Sequence, residues 1–281
     1  MARRHYVDGP FGQMHLRIAG QGLAGQPPLV CFHLSPLSSR LYERFLDRIA
    51  EGGRLAIAID TPGFGMSDAP PAPPSISDYS RAMLAAIDAL GIDGPADLMG
   101  YHTGSMIAAD LAAGQSHRVR RLVLVSTPIF TEAERMHLRQ IYGPSRPHLD
   151  GSHLVERWNS FVRHYLGRGL DLEHVADMFP ERLLGRANAW WGHNAAFSFQ
   201  ADMRLPEIEQ PMLVFNPNDD LQEETRRAAP MIRNGRILEL PGWGHGFLDG
   251  FTDEAARLIE SFLAAPVEDP FGALSLPGSA S

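Results

Sequence analysis

The chain carries a single cysteine, Cys31, in 281 residues. That excludes an internal disulfide and fits a reducing, cytoplasmic setting. Cys31 lies in an apolar run and reads as buried strand packing rather than a reactive thiol. No apolar stretch approaches the ~18 residues of a membrane-crossing helix. The basic start, residues 1–6, lacks the apolar run of a secretory leader. Runs of Lys or Arg are missing as well, and the net charge is −8, so neither a nucleic-acid partner nor a membrane partner is expected. Homodimer formation stays open. A hydrophobic content of 44% is enough for a full core in one α/β domain with room for an insertion.

What is present is an alternation of buried strands and amphipathic helices. Residues 14–19 alternate and read as a half-exposed strand, and residues 28–33 form a short continuous apolar run, the pattern of a strand buried on both faces. A helix is expected over 39–50, a strand over 55–59, a helix from the Ser77 region to about 90, and a strand over 121–126. This order predicts a mostly parallel, doubly wound sheet. From 128 to 205 no strong strand is found and aromatics are dense, so that stretch reads as a helical cap inserted in a core of 1–127 and 206–265. Strands at 211–215 and 236–240, with helices at about 222–232 and 251–263, complete the core. Residues 266–281 read as a loosely packed tail.

The stretch Gly100-Tyr101-His102-Thr103-Gly104 carries the chemistry. An apolar run breaks at Gly100 and again at Gly104, then enters an Ala-rich helix. A strand can turn into a helix so sharply only if the neighbours lack bulk, and the central side chain is then displayed at the edge of the sheet. Here that side chain is an imidazole.

Taken together the motifs resemble the α/β-hydrolase superfamily over residues 10–265. His33-Leu34-Ser35-Pro36 is similar to its H-G-x-P oxyanion loop, and Asp60-Thr61-Pro62-Gly63-Phe64-Gly65-Met66-Ser67 to its D-x-x-G-x-G-x-S segment. Gly100 to Gly104 matches the nucleophile elbow, Asn216-Pro217-Asn218-Asp219 the acid segment, and Gly242-Trp243-Gly244-His245 the base loop. Three departures stand out: Asn216 for Gly, Leu34 for the oxyanion-loop Gly, and His102 for the nucleophile. The resemblance implies the fold, with His102, His245 and Asp219 as catalytic residues and Asp219 preferred over Asp220 as the acid. It also implies an oxyanion hole from the backbone of Ser35 or Leu34 and of Thr103.

An imidazole at the elbow leaves several chemistries open. The leading one is water attack on a small hydrophobic or aromatic ester or carbonyl compound, with one imidazole as base and the other holding charge. A lyase, retro-aldol or cofactor-free oxygenation using the two His as acid and base comes next. His102 acting as nucleophile, or a small-molecule binding protein without catalysis, follow. His33, Tyr101, Tyr142, Trp158 and Trp191 are expected to contact the substrate. No cofactor is expected. A metal held by His33, His102, His245 and Asp219 is weighed and set aside, since no tight His-x-x-x-His spacing occurs. Ser105 should point away from the site. The histidines at 137, 148, 153, 164, 174 and 193 are expected on solvated faces.

Overall fold

In the computed structural model, which describes residues 1–272 and 274, the chain begins with an edge hairpin. β1 (Arg3–Gly9) pairs antiparallel with β2 (Gly12–Ala19). Then follow β3 (Leu29–Phe32), α1 (Glu43–Glu51), β4 (Ala56–Ile59), α2 (Ile76–Ala89), β5 (Ala96–Tyr101), α3 (Thr103–Gly114) and β6 (Val119–Val125). The next stretch is helical among the described residues: α4 (Glu132–Ile141), α5 (Ser152–Tyr165), α6 (Leu172–Met178), α7 (Trp191–Ser198) and α8 (Ala201–Arg204). β7 (Met212–Pro217), α9 (Gln222–Arg226), β8 (Gly235–Leu240), α10 (Phe247–Gly250) and α11 (Thr252–Ala264) close the chain. Half of the expected tail over 266–281, residues 273 and 275–281, lies outside the described residues.

The eight strands form one sheet in the order β1-β2-β4-β3-β5-β6-β7-β8, parallel from β4 to β8. Side chains alternate across it, which sorts the core into two layers. Val30, Leu98 and Leu122 face Tyr79 and Met83 of α2 and Ile107 of α3. Cys31, Met99 and Val123 face Phe45 and Leu46 of α1 and Ile259 and Phe262 of α11. Each large apolar side chain so buried contributes roughly 1.5–3 kcal/mol.

Three local details differ from the sequence reading, each for a physical reason. β1 was not expected, because only Val7 of its seven residues is buried and no alternation marks it. The first residue of the α2 cap is Ser75, whose hydroxyl accepts from the Asp78 N–H while Asp78 accepts from the Ser75 N–H. The helix expected over 222–232 stops at Arg226, and residues 229–231 tighten into a 3₁₀ turn around Pro230, which lacks the donor to continue an α-helix.

The sheet is braced at the N-terminal end of its central strands by arginines; all 25 Lys and Arg positions are Arg. Asp97 of β5 is fully buried and accepts from Arg54 Nη1 at 3.1 Å and Arg120 Nε at 2.9 Å. Arg54 also reaches Glu260 of α11 at 2.9 Å. The planar guanidinium fork serves two carboxylates at once, which a Lys ammonium would do less well. At the opposite end of the same strands lie the elbow and its partners.

Candidate active site

His102 sits between β5 and α3 with φ 49° and ψ −111°, a backbone conformation that a non-glycine residue adopts only under constraint. The constraint comes from close packing on both sides. A Cβ on Gly100 would collide with the Gly104 carbonyl, and one on Gly104 with the Phe32 carbonyl. The two flanking glycines are therefore required by the turn itself. The His102 N–H donates to the Val125 carbonyl at 2.9 Å, and the His102 carbonyl receives the Ser105 N–H at 2.9 Å, locking the bend between strand and helix.

Two carboxylates after β7 meet two imidazoles. His102 Nε2 lies 2.9 Å from Asp219 Oδ2, and His245 Nε2 lies 3.0 Å from Asp220 Oδ1. The expected pairing of Asp219 with His245 is thus corrected: Asp219 holds the elbow imidazole and Asp220 holds the base-loop imidazole. Burial explains the division. The Asp219 side chain has no exposure and points inward, where the Ser126 hydroxyl also donates to it; Asp220 is 46% exposed and turns to the outer side. Ser126 itself has φ 53° at the end of β6. The two rings stand edge to face with centroids 5.2 Å apart.

Their environments push the imidazoles in opposite directions. Burial disfavours the charged form of His102, but the hydrogen bond and charge of Asp219 outweigh it and raise its pKa above the ordinary histidine value. Burial lowers the pKa of His245; Asp220 opposes this, and the nearby His102 charge adds to it. Both aspartates are held below the usual carboxylate range. Burial works against their charge, but the imidazole hydrogen bonds and charges prevail. A pair of titratable groups with pKa values driven apart is the arrangement that assigns acid and base roles.

Two cavities flank the pair. The first, of about 240 Å³, is mainly apolar; His102, Thr103, Ser35, Tyr142, His193 and Phe197 are among the residues around it. Tyr142 stacks on His193 with centroids 4.7 Å apart, and burial pushes His193 down to about 3, so that ring is neutral. The second, of about 260 Å³, is polar and bounded by His164, Arg168, Asp219, Asp220 and His245. His102 opens to the first cavity and His245 to the second.

Of the residues expected at the site, the structure gathers His102, His245, Asp219, Ser35, Thr103 and Tyr142. Thr103 opens α3, where first-turn N–H groups have no partner within the helix. The Ser35 hydroxyl is buried and without a partner. Leu34 is buried beside the cavity rather than on its wall, and its carbonyl accepts from His33 Nδ1 at 2.8 Å.

The other expected substrate contacts are corrected. His33 Nε2 accepts the Thr61 N–H at 2.9 Å, so both ring nitrogens are spent on holding loops. Tyr101 shares the sheet face of Met99, lies under the site, and donates to the His245 carbonyl at 3.0 Å. Trp158 packs edge-on against Phe179, and Trp191 is buried against Trp190; neither lines the first cavity. Ser105 does turn inward, donating to the Gly100 carbonyl at 2.8 Å. His137 and His164 are exposed, as expected, where they border the first and second cavities, whereas His193 is only half-exposed, stacks on Tyr142 and lines the first cavity, so the expectation of a solvated face fails for His193.

Sequence reasoning missed Ser126, Asp220 as the partner of His245, and Arg168. Arg168 Nη1 donates to the carbonyls of Asn218 and of Trp243, tying the acid loop to the base loop. Only the position of Ser126 at a strand end carried any signal. His102, Asp219 and His245 also bring three possible ligand atoms within 4.8 Å of one another, and His33 is not among them.

A family model described as the alpha/beta hydrolase fold matches residues 27–166. The chain is 35% identical over 98 residues to a putative non-heme haloperoxidase of Mycobacterium phage D29, covering 35% of each protein. It is 25% identical over 208 residues to a cis-3-alkyl-4-alkyloxetan-2-one decarboxylase of Shewanella oneidensis, covering 72% of this chain and 63% of that one. The chain thus spans less than two thirds of the length of either relative. Among solved structures it superposes on the enol-lactonase from Burkholderia xenovorans LB400 with a TM-score of 0.77 and 20% identity, over 93% of this chain and 100% of that one.

Proposed function

The chain belongs to the α/β-hydrolase fold superfamily, and on that premise we propose that it is a hydrolase of small hydrophobic or aromatic esters or lactones. Water attacks the carbonyl directly, without a serine nucleophile. The observation that carries this reading is the pair of imidazoles held on separate carboxylates with opposite pKa shifts.

With Nε2 held toward Asp220 at 3.0 Å, neutral His245 keeps its lone pair on Nδ1 and can take a proton from water. His102, held as imidazolium by Asp219, supplies a charged donor beside the developing oxyanion. The Thr103 N–H, and a backbone donor from Leu34 or Ser35, complete the oxyanion hole; removal of one such donor elsewhere costs ~3–4 kcal/mol. His102 then returns a proton to the leaving oxygen. We assign the helical stretch 128–205 as the cap that closes the substrate chamber through Tyr142, His193 and Phe197.

No helix of the described residues is long and apolar enough to cross a membrane. We place the protein in the cytoplasm on the single buried Cys31, with a small molecule as its partner.

A second reading, a lyase that uses the same two rings on a C–H or O–H bond, is favoured by the protonation split itself. That one relative is a decarboxylase fits it as well. A panel of aryl esters, enol esters and lactones separates them by product analysis. Hydrolysis with no acyl mass on the protein after rapid quench supports water attack. An acyl adduct, or no hydrolysis of any panel member, overturns it.

A further inference from the structure

We propose that His102, Asp219 and His245 also form a binding site for one divalent transition-metal ion of the Zn²⁺ class, and that the ion and the imidazole acid–base pair exclude one another. The exclusion rests on the hydrolytic reading above; the binding does not.

The geometry fits such an ion with little movement. Ligands ~2.0–2.2 Å from a zinc-like ion sit roughly 3–4 Å from one another. The His102 Nε2 to Asp219 Oδ2 distance is 2.9 Å, and all three ligand atoms fall within 4.8 Å. A shift of His245 by about 1 Å completes the set. Two nitrogens and one oxygen select a zinc-like ion over Mg²⁺ or Ca²⁺, which take oxygen ligands.

The surroundings are those that metal ligands require. A metal-bound histidine turns its other ring nitrogen to a carboxylate, and His245 Nε2 already lies 3.0 Å from Asp220 Oδ1, which leaves Nδ1 for the ion. A ligating carboxylate is itself hydrogen-bonded, and Asp219 accepts from the Ser126 hydroxyl on Oδ2 and from the Leu221 N–H on Oδ1 at 2.9 Å. Asp219 is buried without exposure, and Asp220 stands beside it, so two carboxylates lie against the two rings. A dication between them balances their charges. The cavities on either side leave room for a fourth, water ligand. Once bound, the ion takes the His245 nitrogen that would accept the proton and holds His102 as a neutral ring through Nε2, so the two cannot work as base and imidazolium.

The test uses tag-free, metal-stripped protein titrated with Zn²⁺ by calorimetry and with Co²⁺ by visible absorption. One ion per chain is expected, with affinity at least tenfold weaker in His102→Gln, Asp219→Asn and His245→Gln. His153→Gln removes a ring of the exposed His148–His153 pair and should change affinity less than threefold. Circular dichroism confirms that each variant is folded, and any one of the three that folds carries the comparison. Exclusion is read without substrate: Zn²⁺ should protect His102 and His245 from acylation by diethylpyrocarbonate, mapped by mass spectrometry. No stoichiometric binding at micromolar Zn²⁺ overturns the site, as does binding that survives all three variants or is lost with His153→Gln. Acylation of both rings in the loaded protein overturns the exclusion. An active enzyme that binds no ion sinks this proposal alone; an ion-binding protein that hydrolyses nothing sinks the hydrolytic reading alone.

Discussion

His102 and His245 stand edge to face with ring centroids 5.2 Å apart, yet each rests on a different carboxylate, Asp219 for the first and Asp220 for the second. Two rings this close would repel if both were charged. Separate partners of different burial let one carry a proton while the other does not.

The first consequence is a division of labour that single substitutions should expose. His102→Gln and His245→Gln should each lower kcat by ~10²–10⁴-fold, the range for loss of a positioned acid or base. The assay is steady-state hydrolysis of a small aryl ester. Full activity in both variants would remove the two rings from the chemistry.

The pH profile should follow from the two shifts. His245 must be neutral to accept a proton, and its pKa is lowered, so activity rises with pH through a limb below ~6.5. His102 must be protonated, and its pKa is raised, so activity falls through a limb above ~6.5. Both limbs report values of the interacting pair. Asp219→Asn removes the charge that holds the His102 proton and should move the descending limb to lower pH. A limb that stays in place would show that Asp219 does not set it.

No serine should act as nucleophile. Ser105 donates to the Gly100 carbonyl and Ser126 to Asp219, so neither hydroxyl is free to attack. Ser35 lines the cavity, but its buried hydroxyl is packed against Gly192 so closely that a Cβ there would strike it. A fluorophosphonate probe should therefore label nothing, and Ser35→Ala should keep activity within about threefold, well under the loss expected for a catalytic group. A covalent adduct at residue 35 would refute this.

Arg168 is expected to act at a distance from the substrate by clamping the two loops together through Asn218 and Trp243. Arg168→Ala should lower kcat about tenfold with little change in KM, since a small misplacement of acid and base can cost up to ~10² in rate. Arg168→Lys should restore part of it. Equal loss in both variants, with a collapse in melting temperature, would make the contact merely structural.

The elbow glycines test the fold beneath the chemistry. Gly104→Ala drives a methyl into the Phe32 carbonyl and should destabilise by more than the ~1–3 kcal/mol of an ordinary overpacked site. Thermal denaturation reads the loss. An unchanged melting point would mean that the turn can relax in a way the close approach denies.

The sequence revealed the elbow because steric demand writes itself locally: Gly100 and Gly104 must be small, and both are visible within five residues. The strands were legible because burial on two faces leaves continuous apolar runs such as residues 29–32. What depended on direction was not legible. Tyr101 neighbours His102 in sequence but points to the other side of the sheet, and adjacent Asp219 and Asp220 diverge to different rings. The histidine at 193 looked like a surface residue, and only the packing of α4 against α7 turns it to the chamber.

The elbow ring opens to an apolar chamber and the base-loop ring to a polar one bordered by exposed Arg163, Arg168 and Asn218. Under the proposed hydrolysis, the organic substrate and the water that reacts with it would have separate doors. A compound that plugs the greasy side need not displace what waits on the wet side. Under the same reading, the choice of ester and the supply of water would answer to different walls of the protein.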